Sequence, residues 1–214
     1  MLYYPKMPGG RGAGPGRCVA FEKLDGTNLH WDWDRTFGWH RFGTRRDQYE
    51  LTPAGVEAFA ARHAHLADAP AVFERTLAGP LADVLRGRPE YAGFDAVRAF
   101  TEFVGPNSFA GLHRAGEPKR TVLIDVWPEG YGFVGPAAFV EHFGHLPTPR
   151  VVYRGPFTGR FADDVRAGRY GVAEGVVCKG GTGGPEVWMA KVKTDAYMRR
   201  LKAAFADRWE EYWE

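Results

Sequence analysis

Apolar and polar positions alternate from Val19 onward, and the alternation carries a lysine with it. Val19, Phe21 and Lys23 share one parity and so one face of a strand. Past Asp25-Gly26, Leu29, Trp31 and Trp33 point one way and His30, Asp32 and Asp34 the other. Trp39 to Arg46, WHRFGTRR, predicts a further strand ending in an arginine pair. Thr52-Pro53 is a helix start, a capping hydroxyl followed by proline in the first turn. It predicts helices over Pro53–His65 and Ala69–Arg86, with a break near Gly79-Pro80. After Gly93 strands return in RAFTEFVG, RTVLIDVW, GVAEGVVCKG and EVWMAKVKT, with Lys179 to Glu186 as a hairpin loop. Near the end, Tyr197, Leu201, Phe205, Trp209 and Trp213 recur every four residues. That is the apolar stripe of a helix, and it must dock on the body of the domain. Gly9 to Arg17 reads as a mobile basic lead-in whose Arg11 and Arg17 are placed to touch a polyanion. No strand precedes its glycines and no Gly-Lys-Ser/Thr follows, which argues against a phosphate loop.

The totals narrow the class. A chain of 214 residues with no repeat or linker is expected to form one domain over 1–214, large enough to bury about 70% of its unfolded surface without disulfide staples. A net charge of +2 excludes a polybasic coat, so contact with nucleic acid would come from a local cluster. Cys18 and Cys178 form no C-x-x-C pair, which argues against zinc and for a reducing, cytoplasmic setting. The opening MLYYPKMPGG lacks the layout of a signal peptide, and no apolar run approaches the roughly 18 residues of a membrane span.

The chemistry lies in an ordered set of polar groups. Lys23-Leu24-Asp25-Gly26 comes first, then Arg45-Arg46 at a strand end, Glu102 in FTEFVG, Asp125 in VLIDVW, Glu174 to Lys179 in EGVVCK, and Lys191-Val192-Lys193. A lysine with pKa near 10.4 cannot attack at neutral pH. Desolvation against Val19 and Phe21 is expected to lower that value, and a neighbouring cation to lower it further. Lys191 and Lys193 lie two apart on a strand and share a face with Val187 and Met189. Such a face suits a phosphate pocket, although a charged exposed edge has the same pattern. Glu102 sits between Phe100 and Phe103, where an unpaired charge is costly. Lys179 points opposite to Glu174 on a regular strand, so both reach one pocket only if the strand bends or bulges. Phe42 is a candidate either for that pocket or for the core. The histidines, including His63 and His65, read as structural or surface groups.

In this order the motifs resemble those of the covalent nucleotidyltransferases: ATP-dependent DNA and RNA ligases and mRNA capping enzymes. EKLDGTN resembles the motif with the nucleotide-accepting lysine; TEFVG, LIDVW, EGVVCK and KVK resemble the later ones, over about Cys18 to Thr194. The closest resemblance is to phage-type RNA ligases that seal nicks in duplex RNA, whose lysine motif also continues Gly-Thr-Asn. The resemblance implies an α/β (α+β) fold, largely antiparallel sheets enclosing an ATP pocket with helices outside. It implies Lys23, Lys191 and Lys193 as catalytic groups and Mg2+ or Mn2+ held by carboxylates, Glu174 and Asp125. It also implies nucleotide contacts from Glu22 to the adenine amine, from Asn28 and Glu102 to the ribose, and from Asp25, Gly26 and Lys179. Arg45 or Arg46 would meet a phosphate or the 5′ end of an acceptor strand.

The expected activity is ATP-dependent strand sealing through a lysyl-AMP intermediate, with nucleic acid as partner, RNA before DNA. Only about twenty residues follow Lys193, so an adenylyltransferase domain without an OB-fold or other C-terminal domain is expected. Such a chain would be a minimal ligase or work with a separate protein. The alternatives are a minimal DNA ligase, a GTP-using capping enzyme, and a non-catalytic nucleic-acid- or partner-binding module.

Overall fold

Pairing between strands decides which side chains share a wall. The computed structural model of the protein describes residues 3–10, 13–14, 16–106 and 116–212; Arg11 and Trp213 lie outside them. β1 (Arg17–Lys23) pairs with β8 (Val151–Pro156) on one side and β9 (Gly175–Gly180) on the other, and β9 pairs with β11 (Trp188–Lys193). A second sheet runs β4-β3-β2-β5-β6: β4 Gln48–Glu50, β3 Gly38–Gly43, β2 Thr27–Asp34, β5 Ala96–Val104 and β6 Arg120–Pro128. Every pairing in these two sheets is antiparallel. Short β7 (Phe133–Val134) and β10 (Gly183–Gly184) pair with each other.

The helices cover the outer faces. Leu29, Trp31 and Trp33 are fully buried beneath α1 (Pro53–Arg62), α2 (Ala69–Phe73) and α3 (Gly79–Gly87). The Trp31 indole stacks on Phe73 at 3.8 Å between centroids and donates to Thr101 Oγ1 at 2.8 Å. Phe42 lies between Trp31 and Phe59 in this core, not at the pocket. α4 (Pro136–Phe143) sets Phe139 edge-on to Phe21, and α5 (Gly159–Arg166) lays Phe161 and Val165 against Ala20, Cys178 and Val176.

Some boundaries depart from the local pattern. The expected break at Gly79-Pro80 is absent; a π-helical turn, Glu74–Ala78, absorbs the hydrogen bond that Pro80 cannot donate, and the helix runs on to Gly87. Lys179 lies inside β9 rather than in the hairpin loop. The last helix, α6 (Asp195–Phe205), stops at Ala206, whose φ is +44°, and a 3-10 segment follows. Tyr197 and Leu201 are therefore buried, while Trp209 lies only half-covered against Lys202. α4, β8 and α5 have no counterpart in the sequence reading. β8 is a short edge strand ending in Gly-Pro, and α5 is marked only by its Thr158 cap.

The stacked pair gives a stability test. Phe73→Ala should cost about 3–5 kcal/mol in urea unfolding, whereas Phe37→Ala, at 78% exposed on a hairpin tip, should stay within about 0.5 kcal/mol. Equal effects would mean that the Trp31 stack is not central to the core.

Candidate active site

The register fixes one wall. Directly paired residues of antiparallel strands point to the same side. Lys23, Gly175 and Lys193 therefore form one row, Phe21, Val177 and Lys191 the next, and Val19, Lys179 and Met189 the third. Glu174 precedes β9. Gly175, at φ +155°, turns the chain so that the carboxylate joins the lysine face despite its parity. A side chain there would meet Val192 O at 2.1 Å. Glu174 Oε1 lies 2.9 Å from Lys23 Nζ and 3.3 Å from Lys193 Nζ.

The lysines respond differently to this crowding. Burial alone would depress the Lys23 ammonium, but Glu174, Glu102 and Asp25 outweigh it and hold its pKa above the ordinary lysine value. This corrects the expectation that desolvation wins. Burial, with Lys193 and Lys23 nearby, brings Lys191 down to about 8. Lys193 is lowered by burial and by Lys23, against the pull of Glu174.

Leu24 to Gly26 carry the chain from the first sheet into the second. Gly26 is packed so closely that a Cβ would lie 2.4 Å from Phe103 O, and its N–H bonds to Glu102. Asn28 and Glu102 are paired across β2 and β5 and face the same space. Burial raises the Glu102 carboxyl to about 7; Lys23 opposes this and Glu174 adds to it. Asp25 stands behind, accepting from Tyr197 Oη at 3.3 Å. Between the sheets lies a cavity of about 490 Å³. Lys23, Lys191, Lys179 and Glu102 line it; Glu22, Gly26 and Asn28 reach its wall, and Arg45 and Arg46 its mouth. Glu22 also pairs with Arg150 at 3.3 Å. Arg45 is the arginine whose charge is felt at Glu102 and Lys191.

Asp47, which sequence reasoning passed over, anchors the arginine turn. It accepts from Thr44 N and Oγ1 at 3.4 and 2.5 Å, from Tyr49 Oη at 3.3 Å and contacts His63 Nε2 at 2.7 Å. Tyr4, Met7, Ile124 and Val177 also line the cavity. The last two were legible only as neighbours of motif residues.

Asp125 is not brought to Glu174. It is 1% exposed, pairs with Lys179 Nζ at 2.6 Å and accepts a bond from the Tyr4 hydroxyl. Its carboxylate is committed to those partners, so it does not fit the metal role expected of it. Lys179 also donates to Ile124 O at 2.6 Å and lies over the rings of Phe21 and Phe139. Among the described residues no three His, Cys, Asp or Glu gather as a metal cluster. Glu174 Oε2, however, is buried without a hydrogen-bond partner. One such hard oxygen, with phosphate oxygens and water, fits the way Mg2+ is commonly held.

The sequence matches no family model and no curated protein. Solved structures do match. An archaeal ATP-dependent RNA ligase is 20% identical with a TM-score of 0.61, over 96% of this chain and 52% of that one. A Naegleria gruberi RNA ligase variant with ATP and Mn is 12% identical with a TM-score of 0.58, over 93% and 58%. An Aquifex aeolicus protein provisionally described as an ATP-dependent DNA ligase is 14% identical with a TM-score of 0.61, over 99% and 57%.

The chain has the nucleotidyltransferase fold of ATP-dependent ligases. It spans about half the length of the structures it matches. No described helix of this nucleotidyltransferase fold is long and apolar enough to cross a membrane.

Two measurements check the electrostatics. Glu174→Gln removes the nearest carboxylate from Lys23, so the amine should titrate at lower pH, read by pH-dependent labelling with an amine reagent and peptide mapping; an unchanged profile would discard the pairing. Glu102 binds its proton more tightly folded than unfolded, so it costs stability as pH rises from 4.5 through about 7. Glu102→Gln should therefore gain relative to wild type at pH 8 compared with pH 4, by at most about 3 kcal/mol.

Proposed function

We propose that this chain is the adenylyltransferase part of an ATP-dependent polynucleotide ligase acting on RNA. The observation that carries the reading is Lys23 at the end of β1, on a cavity wall with Lys191, beside Lys193 and Glu174, in a fold matched by RNA ligases. Lys23 Nζ gives up its proton to solvent and attacks the α-phosphorus of ATP. A nitrogen–phosphorus bond forms, the bond to pyrophosphate breaks, and lysyl-AMP remains. AMP then passes to a 5′-phosphate, and a 3′-hydroxyl displaces it to seal the strand.

The residues divide this work. Lys191 and Lys193 bring positive charge to the phosphates as charge builds on the leaving group. Asn28 and Glu102 hold the ribose; Glu22 faces the base, and Arg45 and Arg46 take the acceptor's 5′-phosphate. The protonated resting state of Lys23 requires that the charge of Glu174 be offset before attack. A divalent cation on Glu174, Mg2+ or Mn2+, supplies that neutralisation when bound. RNA is favoured over DNA by the Gly26-Thr27-Asn28 continuation.

ATP labelled at the α-phosphate should leave a covalent label on the wild type with Mg2+ or Mn2+, none on Lys23→Ala, and about 100-fold slower labelling on Lys193→Ala. Nicked RNA should be sealed in preference to nicked DNA. Sealing of DNA alone would overturn the RNA assignment, preference for GTP would favour a capping enzyme, and absence of label on folded protein would favour a binding module.

A further inference from the structure

The residues ahead of the Gly9–Arg17 stretch, to which the sequence pattern assigns no site role, form part of the cavity. Tyr4 is 5% exposed, with its ring 5.1 Å from Phe100 and edge-on to Phe133 at 6.0 Å. Its hydroxyl donates to Asp125 Oδ2 and lies 3.6 Å from Met189 Sδ. That same Oδ2 takes the Lys179 ammonium. A few residues on, the backbone joins the opposite sheet. Lys191 N donates to Pro8 O at 3.0 Å, and Gly9 bridges to Lys191 in parallel. β11 is an edge strand, so this bond occupies a donor that β9 does not use.

The segment thus runs from the strand that carries Lys191, across the space between the sheets, to the strand that carries Asp125. Lys6 and Met7 lie along that crossing and line the cavity, Lys6 exposed to solvent. A strap that only held the sheets together would need Tyr4 and the Pro8 bond. It would not need side chains on the cavity wall, nor anchors on Lys191 itself and on the carboxylate that holds Lys179.

We propose that the segment from Tyr4 to Gly9 is a working wall of the nucleotide site, with Tyr4 positioning Lys179 through Asp125, Pro8 positioning Lys191, and Lys6 adding a cation for the phosphates of a nucleoside triphosphate. The inference rests on the nucleotide-binding part of the function proposed above. Burial and Asp125 hold the Tyr4 phenol well above its ordinary pKa, so it remains a donor throughout the neutral range.

The test separates binding from chemistry by titrating ATP calorimetrically in a Lys23→Ala background, where no covalent step follows. Adding Tyr4→Phe, which keeps the ring and its packing, should weaken ATP binding about fivefold at a temperature well below the transition, with a lower melting temperature from the lost bond to Asp125. Adding Lys6→Ala, at an exposed position, should weaken it about two- to fivefold at low salt and have no effect at high salt. Unchanged affinity in both, whether or not stability falls, would reduce the segment to a structural strap and overturn the proposal. Wild type that binds ATP with the expected losses but takes no label would leave the wall standing and sink the ligase reading. No ATP binding in the Lys23→Ala background or in wild type would overturn both.

Discussion

One carboxylate oxygen, Glu174 Oε1, holds the ammonium groups of both Lys23 and Lys193 at the junction of three strands. Without it, Lys23, Lys191 and Lys193 would share one face of a sheet with nothing between them. Like charges that close, half out of water, repel by several kcal/mol at intermediate dielectric. Glu174, Glu102 and Asp25 offset the cluster at Lys23; at Lys191 Glu174 still pulls, but burial and the neighbouring lysines outweigh it. Lys191, with no ion pair among the described residues, falls to about 8. The cavity therefore presents an under-compensated cation on a rigid strand, which suits a polyanion better than a neutral ligand.

The same carboxylate sets the resting state of Lys23, the nucleophile of the proposed reaction. Lysine reactivity is usually reasoned from burial, since a desolvated ammonium loses its proton readily. Here burial is the largest single influence on Lys23 and is still outweighed, because its carboxylate neighbours act together. The site folds around a protonated lysine, a stable ion pair rather than a strained free amine. Removing a partner from a buried pair leaves an uncompensated charge. Neutralising Glu174 in place would instead release Lys23 while Lys191 and Lys193 continue to favour the amine. In the proposed reaction, stability at rest and reactivity when loaded are thus drawn from one contact.

Much of this wall was legible in the sequence, because period-2 alternation is local. Val19, Phe21 and Lys23 shared a parity, as did Met189, Lys191 and Lys193, and antiparallel pairing brought those sets to one side. Legibility failed where geometry departs from the period or contacts are remote. The parity of Glu174 argued against Lys179 sharing its pocket until Gly175, in a conformation that favours glycine, reoriented the chain. Asp125 sat in a metal-like position of a motif, but its partners come from Lys179 and from Tyr4, 121 residues away. No periodicity encodes such a pairing. The sign of the Lys23 shift was unreadable for a related reason: burial shows in flanking apolar residues, whereas the opposing carboxylates converge only on folding.

The position of the cavity follows from chain connectivity. Lys23 ends one sheet and Asn28 lies near the start of the other, with only Leu24 to Thr27 between them. Gly26 pressed against Phe103 O fixes that short link, so on this side the angle between the sheets is set by covalent geometry and close packing. On the far side no such link exists between β11 and β6. Lys179, reaching from β9 to Asp125 on β6, is one tie across the gap; the Tyr4-to-Gly9 segment is another, and both end on the same carboxylate oxygen. A charge pair alone tolerates sliding, because Coulomb attraction varies slowly with angle. A hydroxyl bonded to the same oxygen restricts it, because a hydrogen bond weakens steeply off axis. The separation between the lysine wall and the Asn28–Glu102 wall is therefore held by a tight turn at one edge and by a shared, directional polar contact at the other.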